Sequence, residues 1–95
     1  MAHREQIEAL RREISAVDKE LVSLFIKRMR LCEQIADVKA SAGIAITDTA
    51  REGKVLESAA ATAIQENARD LTEEAAAFMR ALIDLSKRRQ AARNA

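Results

Sequence analysis

A regularly spaced apolar stripe near the N-terminus constrains the fold of this chain more than any other feature of its sequence. Successive members of the stripe lie three or four residues apart, with one gap: Ile7, Leu10, Ile14, Val17, Leu21, Leu24, Leu31, Ile35 and Val38. This spacing places them all on one face of an α-helix. We therefore predict one long amphipathic helix over about residues 5–41.

The length of this helix has a consequence for assembly. At ~1.5 Å per residue it spans roughly 55 Å, about twice the diameter of a compact domain of 95 residues. The roughly 50 remaining residues form at most two shorter helices, too few to cover the whole stripe. We expect the stripe to pack against the same stripe of a second chain, in a two-fold homodimer.

The composition of the remaining residues also favours helices. The chain has no proline, only two glycines and 33% charged residues, so it lacks the turn formers of an all-β fold. Gly43 falls where the apolar spacing of three and four residues ends, and it marks the connection after the first helix. A capping box, with Thr49 as N-cap and Glu52 bonding back to it, predicts a second helix over about residues 50–66. We expect a turn over 65–70 and a third helix over about 72–92.

The two shorter helices each have a predicted core face. That face comprises Val55, Leu56, Ala59, Ala60, Ala63 and Ile64 on the second helix, and Ala75, Phe78, Met79, Leu82, Ile83 and Leu85 on the third. Gly53 costs the second helix about 1 kcal/mol of propensity relative to alanine. The predicted fold class is therefore all-α, with three helices in a single domain over residues 1–95.

Several classes of protein are excluded by charge and by residue type. The chain has no apolar run long enough to cross a bilayer and no signal-peptide core, which predicts a cytoplasmic protein that binds no membrane. Cys32 is the single cysteine, so we expect a small buried residue, no internal disulfide and no metal site. With 16 basic and 15 acidic residues, the net charge of +1 argues against nucleic-acid binding.

Two cations stand out on the predicted first helix. One lies at a position that should be apolar, and the other lies near the end of the helix. Arg28 occupies the position that the heptad counted from Leu24 reserves for an apolar residue. A charge in a packing seam is costly unless paired, so Arg28 sets dimer register, forms a structural ion pair or faces an anion. Lys39 follows after a rotation of ~20° and a rise of ~16 Å, on the same face. It is either a second anion ligand or a solvated cation near the helix end.

Three further charged residues lie on the first two predicted helices. Arg11 lies about 25 Å from Arg28 along the helix, so only a partner chain could bring them together; alternatively it is a surface arginine near Glu8. Arg51 stands in the first turn of the second helix, where the free N–H groups favour an anion, so a bound carboxylate would explain it. Glu52 is already explained by capping.

The apolar stripe of the third helix turns polar toward the C-terminus. Ser86 and Gln90 continue the helical spacing of Met79 and Ile83. They are either ligand-binding groups or, respectively, a hydroxyl bonded to its own helix and a fraying end. The basic run over 87–89 indicates a solvated face rather than a nucleic-acid site.

Taken together, these positions resemble a known enzyme family. They are Leu10, Arg11, Ile14, Asp18, Leu21, Leu24, Arg28, Lys39, Asp48, Arg51, Glu52, Ser86 and Gln90. The pattern resembles the all-helical bacterial chorismate mutases, in particular the mutase domain of bifunctional chorismate mutase–prephenate dehydratase proteins, from about residue 7 to residue 90. The resemblance implies an intertwined homodimer of three-helix subunits, whose two sites each borrow one arginine from the partner.

The resemblance also implies roles for individual residues. Arg11 would enter the partner's site, Arg28 would bind a substrate carboxylate, and Lys39 and Gln90 would hydrogen-bond the ether oxygen. Glu52 and the backbone near Asp48 would bind the ring hydroxyl. Arg51 and Ser86 would complete the carboxylate contacts.

The implied reaction is the rearrangement of chorismate to prephenate in aromatic amino acid biosynthesis. It is pericyclic, so it needs no metal, cofactor or nucleophile. Two alternatives remain at this point: an isochorismate-pyruvate lyase with a similar pocket, and a non-catalytic helical module for dimerisation or regulation.

Overall fold

A computed structural model describes residues 2–94 of the chain. It contains three α-helices, α1 (Ala2–Ala42), α2 (Thr49–Gln65) and α3 (Thr72–Asn94), with a 3-10 turn at Arg69–Leu71 before α3. No strand occurs over these residues, so the predicted all-α fold with three helices and a very long first one is confirmed. Each observed helix boundary lies within three residues of the predicted one.

The chain divides into two compact units, and the boundary between them falls within α1. The first unit ends at Leu31 and contains most of that helix. The second begins at Cys32 and contains the last turns of α1 together with α2 and α3. Over the described residues, none of the helices is both long and apolar enough to cross a membrane.

The first two helices both end with a left-handed residue. After α1, Gly43 adopts φ +70°, and the N–H of Ile44 donates to the Lys39 carbonyl at 2.8 Å. After α2, Asn67 adopts φ 60°, and the N–H of Ala68 donates to the Ala63 carbonyl at 2.8 Å. These bonds satisfy carbonyls that would otherwise lack partners at a helix end, and glycine and asparagine tolerate the conformation best.

The start of α2 differs from the prediction. Its N-cap is Asp48 rather than Thr49, and the Asp48 Oδ1 atom accepts from the Arg51 N–H at 3.0 Å. Aspartate caps at least as well as threonine and adds a negative charge at the positive end of the helix dipole. The predicted capping box is therefore wrong, because Glu52 forms its contacts elsewhere.

The two glycines provide a matched stability test. A Cβ built on Gly53, inside α2, meets no atom within 4 Å, whereas Gly43 needs its positive φ. We expect Gly53→Ala to raise the free energy of unfolding by about 0.5–1 kcal/mol, and Gly43→Ala to lower it by about 1 kcal/mol or more. Thermal unfolding of the two variants checks this; a lower melting temperature for Gly53→Ala would contradict it.

The second unit has a small core in which half of the buried residues are polar. The buried residues are Glu33, Ala36, Ala63, Ile83, Ser86 and Gln90. Three residues predicted for the core, Ile64, Phe78 and Leu85, are instead 42%, 52% and 40% exposed in the single chain. The predicted faces were too wide, because 20 of the apolar residues are alanines and a thin core covers only the centre of each face.

The apolar stripe of α1 is exposed along its whole length. All nine of its members have between 45% and 66% of their surface exposed in the single chain. The residues of α1 buried within the chain are Glu33 and Ala36, which belong to a different face. A continuous exposed apolar face marks an interaction surface. It is the surface that the predicted homodimer would bury.

Candidate active site

Two of the predicted site residues lie in the first unit. Arg11 is exposed, and its Nη1 atom donates to Glu8 Oε1 at 3.1 Å. Such an exposed pair one turn apart contributes little to stability, so Arg11 can exchange Glu8 for another anion at small cost. Arg28 is half-buried and therefore less exposed than the apolar residues of the stripe.

Lys39 is the predicted site residue at the end of α1. Its side chain is half-buried, and Nζ donates to the carbonyl oxygen of Ile46 at 2.8 Å, across the α1–α2 connection. It is therefore held by that connection rather than freely solvated. An ammonium group has three donors, so two more can bind a ligand.

Lys39 and Asp48 line one open cleft beside this connection. The cleft has a volume of about 300 Å³, at the low end of the range for small-molecule pockets. Its lining comprises Lys39, Ile44, Ala45, Thr47, Asp48, Thr49 and Ala50. The structure therefore brings Lys39 together with the backbone at the start of α2, where unpaired N–H groups favour an anion.

Arg51 follows in the first turn of α2. Its backbone N–H is occupied by the Asp48 cap, while its side chain is exposed. A cation in this position is slightly unfavourable with respect to the helix dipole. Its placement is therefore not explained by helix stability.

Glu52 forms a bridge from α2 to α3. Its Oε1 atom accepts from Arg80 Nη1 at 3.0 Å, and its Oε2 atom lies 3.2 Å from Lys87 Nζ. The hydrogen bond from Arg80, followed by that from Lys87, lowers the pKa of Glu52 below its ordinary value. Glu52 is thus a well-oriented carboxylate with little exposed surface, and Lys87 is a partner of this site rather than part of a solvated face.

Ser86 and Gln90 lie on the buried face of α3, in line with Ile83. The Ser86 Oγ atom donates to the Leu82 carbonyl of its own helix at 2.7 Å, and its role in ligand binding stays a prediction. The Gln90 Oε1 atom is buried and has no hydrogen-bond partner among the described residues. A fraying end is excluded, because residue 90 is helical and only 7% exposed. A buried polar atom without a partner is costly, which indicates a ligand site.

Comparison with known proteins identifies the family. The family model of chorismate mutase type II matches residues 10–91 of the chain. The chain belongs to this family. The T-protein of Haemophilus influenzae is 39% identical to it over 57 residues, which cover 60% of this chain and 15% of that protein. The chain thus spans only a small part of that relative's length, and no solved structure gives a significant match.

Membership of the chorismate mutase type II family confirms the resemblance seen in the sequence. The family supports the predicted function, chorismate mutase activity in aromatic amino acid biosynthesis, and the enzyme class, an isomerase. The individual site residues remain predictions.

The sequence interpretation missed a set of charged residues on the α1 and α3 helices of this chorismate mutase domain. Buried Glu33 pairs with Arg89 and Arg93, and Asp37 also pairs with Arg93. The available signal was complementary spacing, since both the two acids and the two arginines lie four residues apart. It was too weak to use, because the partners are 56 or 60 residues apart in the chain.

Proposed function

We propose that this chain catalyses the rearrangement of chorismate to prephenate, as a cytoplasmic homodimer with two shared sites. The observation that carries the proposal is the buried Gln90 side chain, whose Oε1 atom has no partner among the described residues. It occurs in a chain of the chorismate mutase type II family. A buried amide left uncommitted within such a chain supports a role in substrate binding.

The reaction determines what the protein has to supply. Chorismate is a dianion whose enolpyruvyl arm must fold over the ring before one C–O bond breaks and one C–C bond forms. Negative charge grows on the ether oxygen as its bond to the ring breaks. The protein must therefore fix the folded conformation and place hydrogen-bond donors at this oxygen.

Lys39 and Gln90 are the proposed donors to the ether oxygen. Lys39 retains two N–H donors after its bond to Ile46. Its half-buried position strengthens its electrostatic interaction with a developing negative charge. Gln90 contributes a neutral amide, which donates through its nitrogen without adding a further charge to bury. Its Oε1 atom then needs a donor, which an ordered water supplies, because the substrate's one hydroxyl donates to Glu52.

Cations hold the two carboxylates of the substrate in this proposal. Arg28 and Arg51 bind them within the chain, and Arg11 reaches them from the partner subunit. Support comes from the exposed Arg51 side chain, whose position helix stability does not explain, and from the weak Arg11 pair with Glu8. Ser86 joins them when its hydroxyl turns away from the Leu82 carbonyl.

Glu52 and the backbone near Asp48 bind the ring hydroxyl. Because Arg80 and Lys87 keep Glu52 ionised, its carboxylate accepts a hydrogen bond from the hydroxyl and does not donate one. Glu52 therefore discriminates against substrates that lack a hydroxyl at this place on the ring.

The number of donors matches the catalysis required. An acceleration of about 10⁶, near the low end for enzymes, corresponds to about 8 kcal/mol of transition-state stabilisation. Three or four preorganised donors at ~2–3 kcal/mol each are sufficient to provide it. No acid–base couple or nucleophile has to be added.

Sharing of the site between subunits is testable by complementation. We expect Arg11→Ala and Arg28→Ala each to be inactive as homodimers. A heterodimer of the two variants should recover one working site, because one site then combines an intact Arg28 with an intact Arg11 from the partner. Turnover of mixed, separately tagged subunits measures this.

Arg12 provides the matched control for Arg11, since it is the adjacent and equally exposed arginine. Arg12→Ala is expected to keep full turnover as a homodimer. A heterodimer of Arg11→Ala and Arg28→Ala that stays inactive would refute sharing of the site.

A substrate comparison tests the proposed reaction itself. Purified chain is given chorismate and, separately, isochorismate, and the products are followed by chromatography. We expect prephenate from chorismate at a rate far above that of the buffer. Formation of pyruvate and salicylate from isochorismate as the main activity would identify a lyase instead, and no turnover of either would indicate a helical dimerisation module.

A further inference from the structure

We propose that the ion-pair cluster of Glu33, Asp37 and Arg93 is a positioning device that sets the placement of Lys39 and Gln90 for catalysis. This inference rests on the proposed function. These three residues touch no substrate in our proposal, and they act through the two ether-oxygen donors.

The geometry of the cluster is specific. Arg93 Nη2 donates to both oxygens of Asp37, at 2.9 and 2.8 Å, while its Nη1 donates to Glu33 Oε2 at 2.9 Å. The hydrogen bond to Asp37 is the largest influence that raises the pKa of Arg93. One planar guanidinium thus binds two carboxylates that lie one turn apart on α1, which fixes both the spacing and the rotation of the helices.

The cluster links two segments whose Cα atoms lie far apart. Over residues 32–42, no Cα atom of α1 lies within 8 Å of a Cα atom of α3 among the described residues. The helices are therefore too far apart here for close backbone packing. The long side chains of Arg89 and Arg93 bridge this gap to Glu33 and Asp37.

The proposed donors lie within one helical turn of this bridge along their helices. Lys39 lies two residues after Asp37 on α1, and Gln90 lies one turn before Arg93 on the same face of α3. Glu33 is only 7% exposed, like Gln90. A buried carboxylate is costly unless it is paired, and Arg93 supplies one of the pairs that stabilise Glu33, beside Arg89. Displacement of the bridge therefore displaces the two donors relative to each other.

Two variants with opposite charge changes separate positioning from a general electrostatic effect. Arg93→Ala removes a positive charge, whereas Asp37→Asn removes a negative one. If the cluster acted only through the electric field on a dianionic substrate, the two variants would shift turnover in opposite directions. Positioning predicts a loss in both. Arg88→Ala, at an exposed neighbouring arginine, is the control for loss of one cation from α3.

The test measures kcat and KM for chorismate well below the melting temperature of each variant. We expect Arg93→Ala and Asp37→Asn each to lower kcat by about tenfold, because small misplacements of catalytic groups are costly. KM should change less than about threefold. The double variant should have a kcat no lower than that of the less active single variant, since both substitutions disrupt the same bridge. Arg88→Ala should keep the kcat of the unaltered chain.

Each other result overturns a defined part of the account. Unchanged kcat in both variants, opposite shifts, or fully additive losses would overturn the positioning role while leaving the proposed function intact. Lack of turnover by the unaltered chain would overturn the proposed function, and the positioning role with it.

Discussion

Replacement of Lys39 by alanine is expected to lower kcat/KM for chorismate by at least about a hundredfold, which corresponds to roughly 2.7 kcal/mol of lost transition-state stabilisation. The ammonium group is the only charged donor proposed for the ether oxygen, where charge develops as the bond breaks. Its loss affects the transition state more than the ground state, so most of the loss should appear in kcat. Steady-state kinetics with size-exclusion chromatography of the same sample measure this.

Lys54 provides the matched control for this variant. It is an exposed lysine on α2 outside the proposed site, and Lys54→Ala removes the same charge and side-chain length. We expect this control to keep full activity. If Lys39→Ala folded, dimerised and turned over chorismate as fast as Lys54→Ala, the assignment of Lys39 would be wrong and a non-catalytic module would be favoured.

Replacement of Gln90 by glutamate is expected to change the pH dependence of turnover. At neutral pH the carboxylate cannot donate and repels the negative charge on the ether oxygen, so turnover should fall at least about a hundredfold. A glutamate has an ordinary pKa of about 4.3, and burial next to a dianion raises it. Its neutral, donating form therefore becomes populated as pH falls, and turnover should rise in the acid range.

The pH profiles of three proteins check this expectation. The unaltered chain should show no such rise, because an amide does not titrate. Gln34→Glu, at an exposed glutamine of α1, is the control for the added charge. Parallel profiles for Gln90→Glu and the unaltered chain would refute the donor role of Gln90.

The fold was predictable from the sequence because its main determinants are local. The spacing of Ile7 to Val38 specifies a long helix, and Gly43 specifies its end through a backbone conformation that glycine adopts most easily. The α2 cap was assigned one residue too late, since Asp48 and Thr49 are adjacent residues that both cap helices well. Local pattern alone does not decide between two such neighbours.

The width of the core was less predictable than the helices. Phe78 and Leu85 are apolar residues near the inner face of α3, yet they remain substantially exposed in the single chain. Helical periodicity gives the direction of a side chain, but not how much neighbouring chain is present to cover it. In an alanine-rich chain the covered strip is narrow.

The candidate site was predictable only in part. Arg28 and Gln90 were conspicuous because they are polar residues at apolar positions of a helical pattern. Arg80 and Arg93 were not, because exposed arginines are ordinary on helices and their importance depends on partners 28 to 60 residues away in the chain. Such long-range pairs follow from the packing of the helices, which periodicity does not specify.

Catalysis itself is tested by incubating the purified chain with chorismate in the presence of a metal chelator and following the mixture by NMR. We expect conversion of chorismate to prephenate as the single product, with a rate proportional to the amount of folded protein and largely lost in Lys39→Ala. A spectrum that changes no faster than that of chorismate in buffer alone would contradict it.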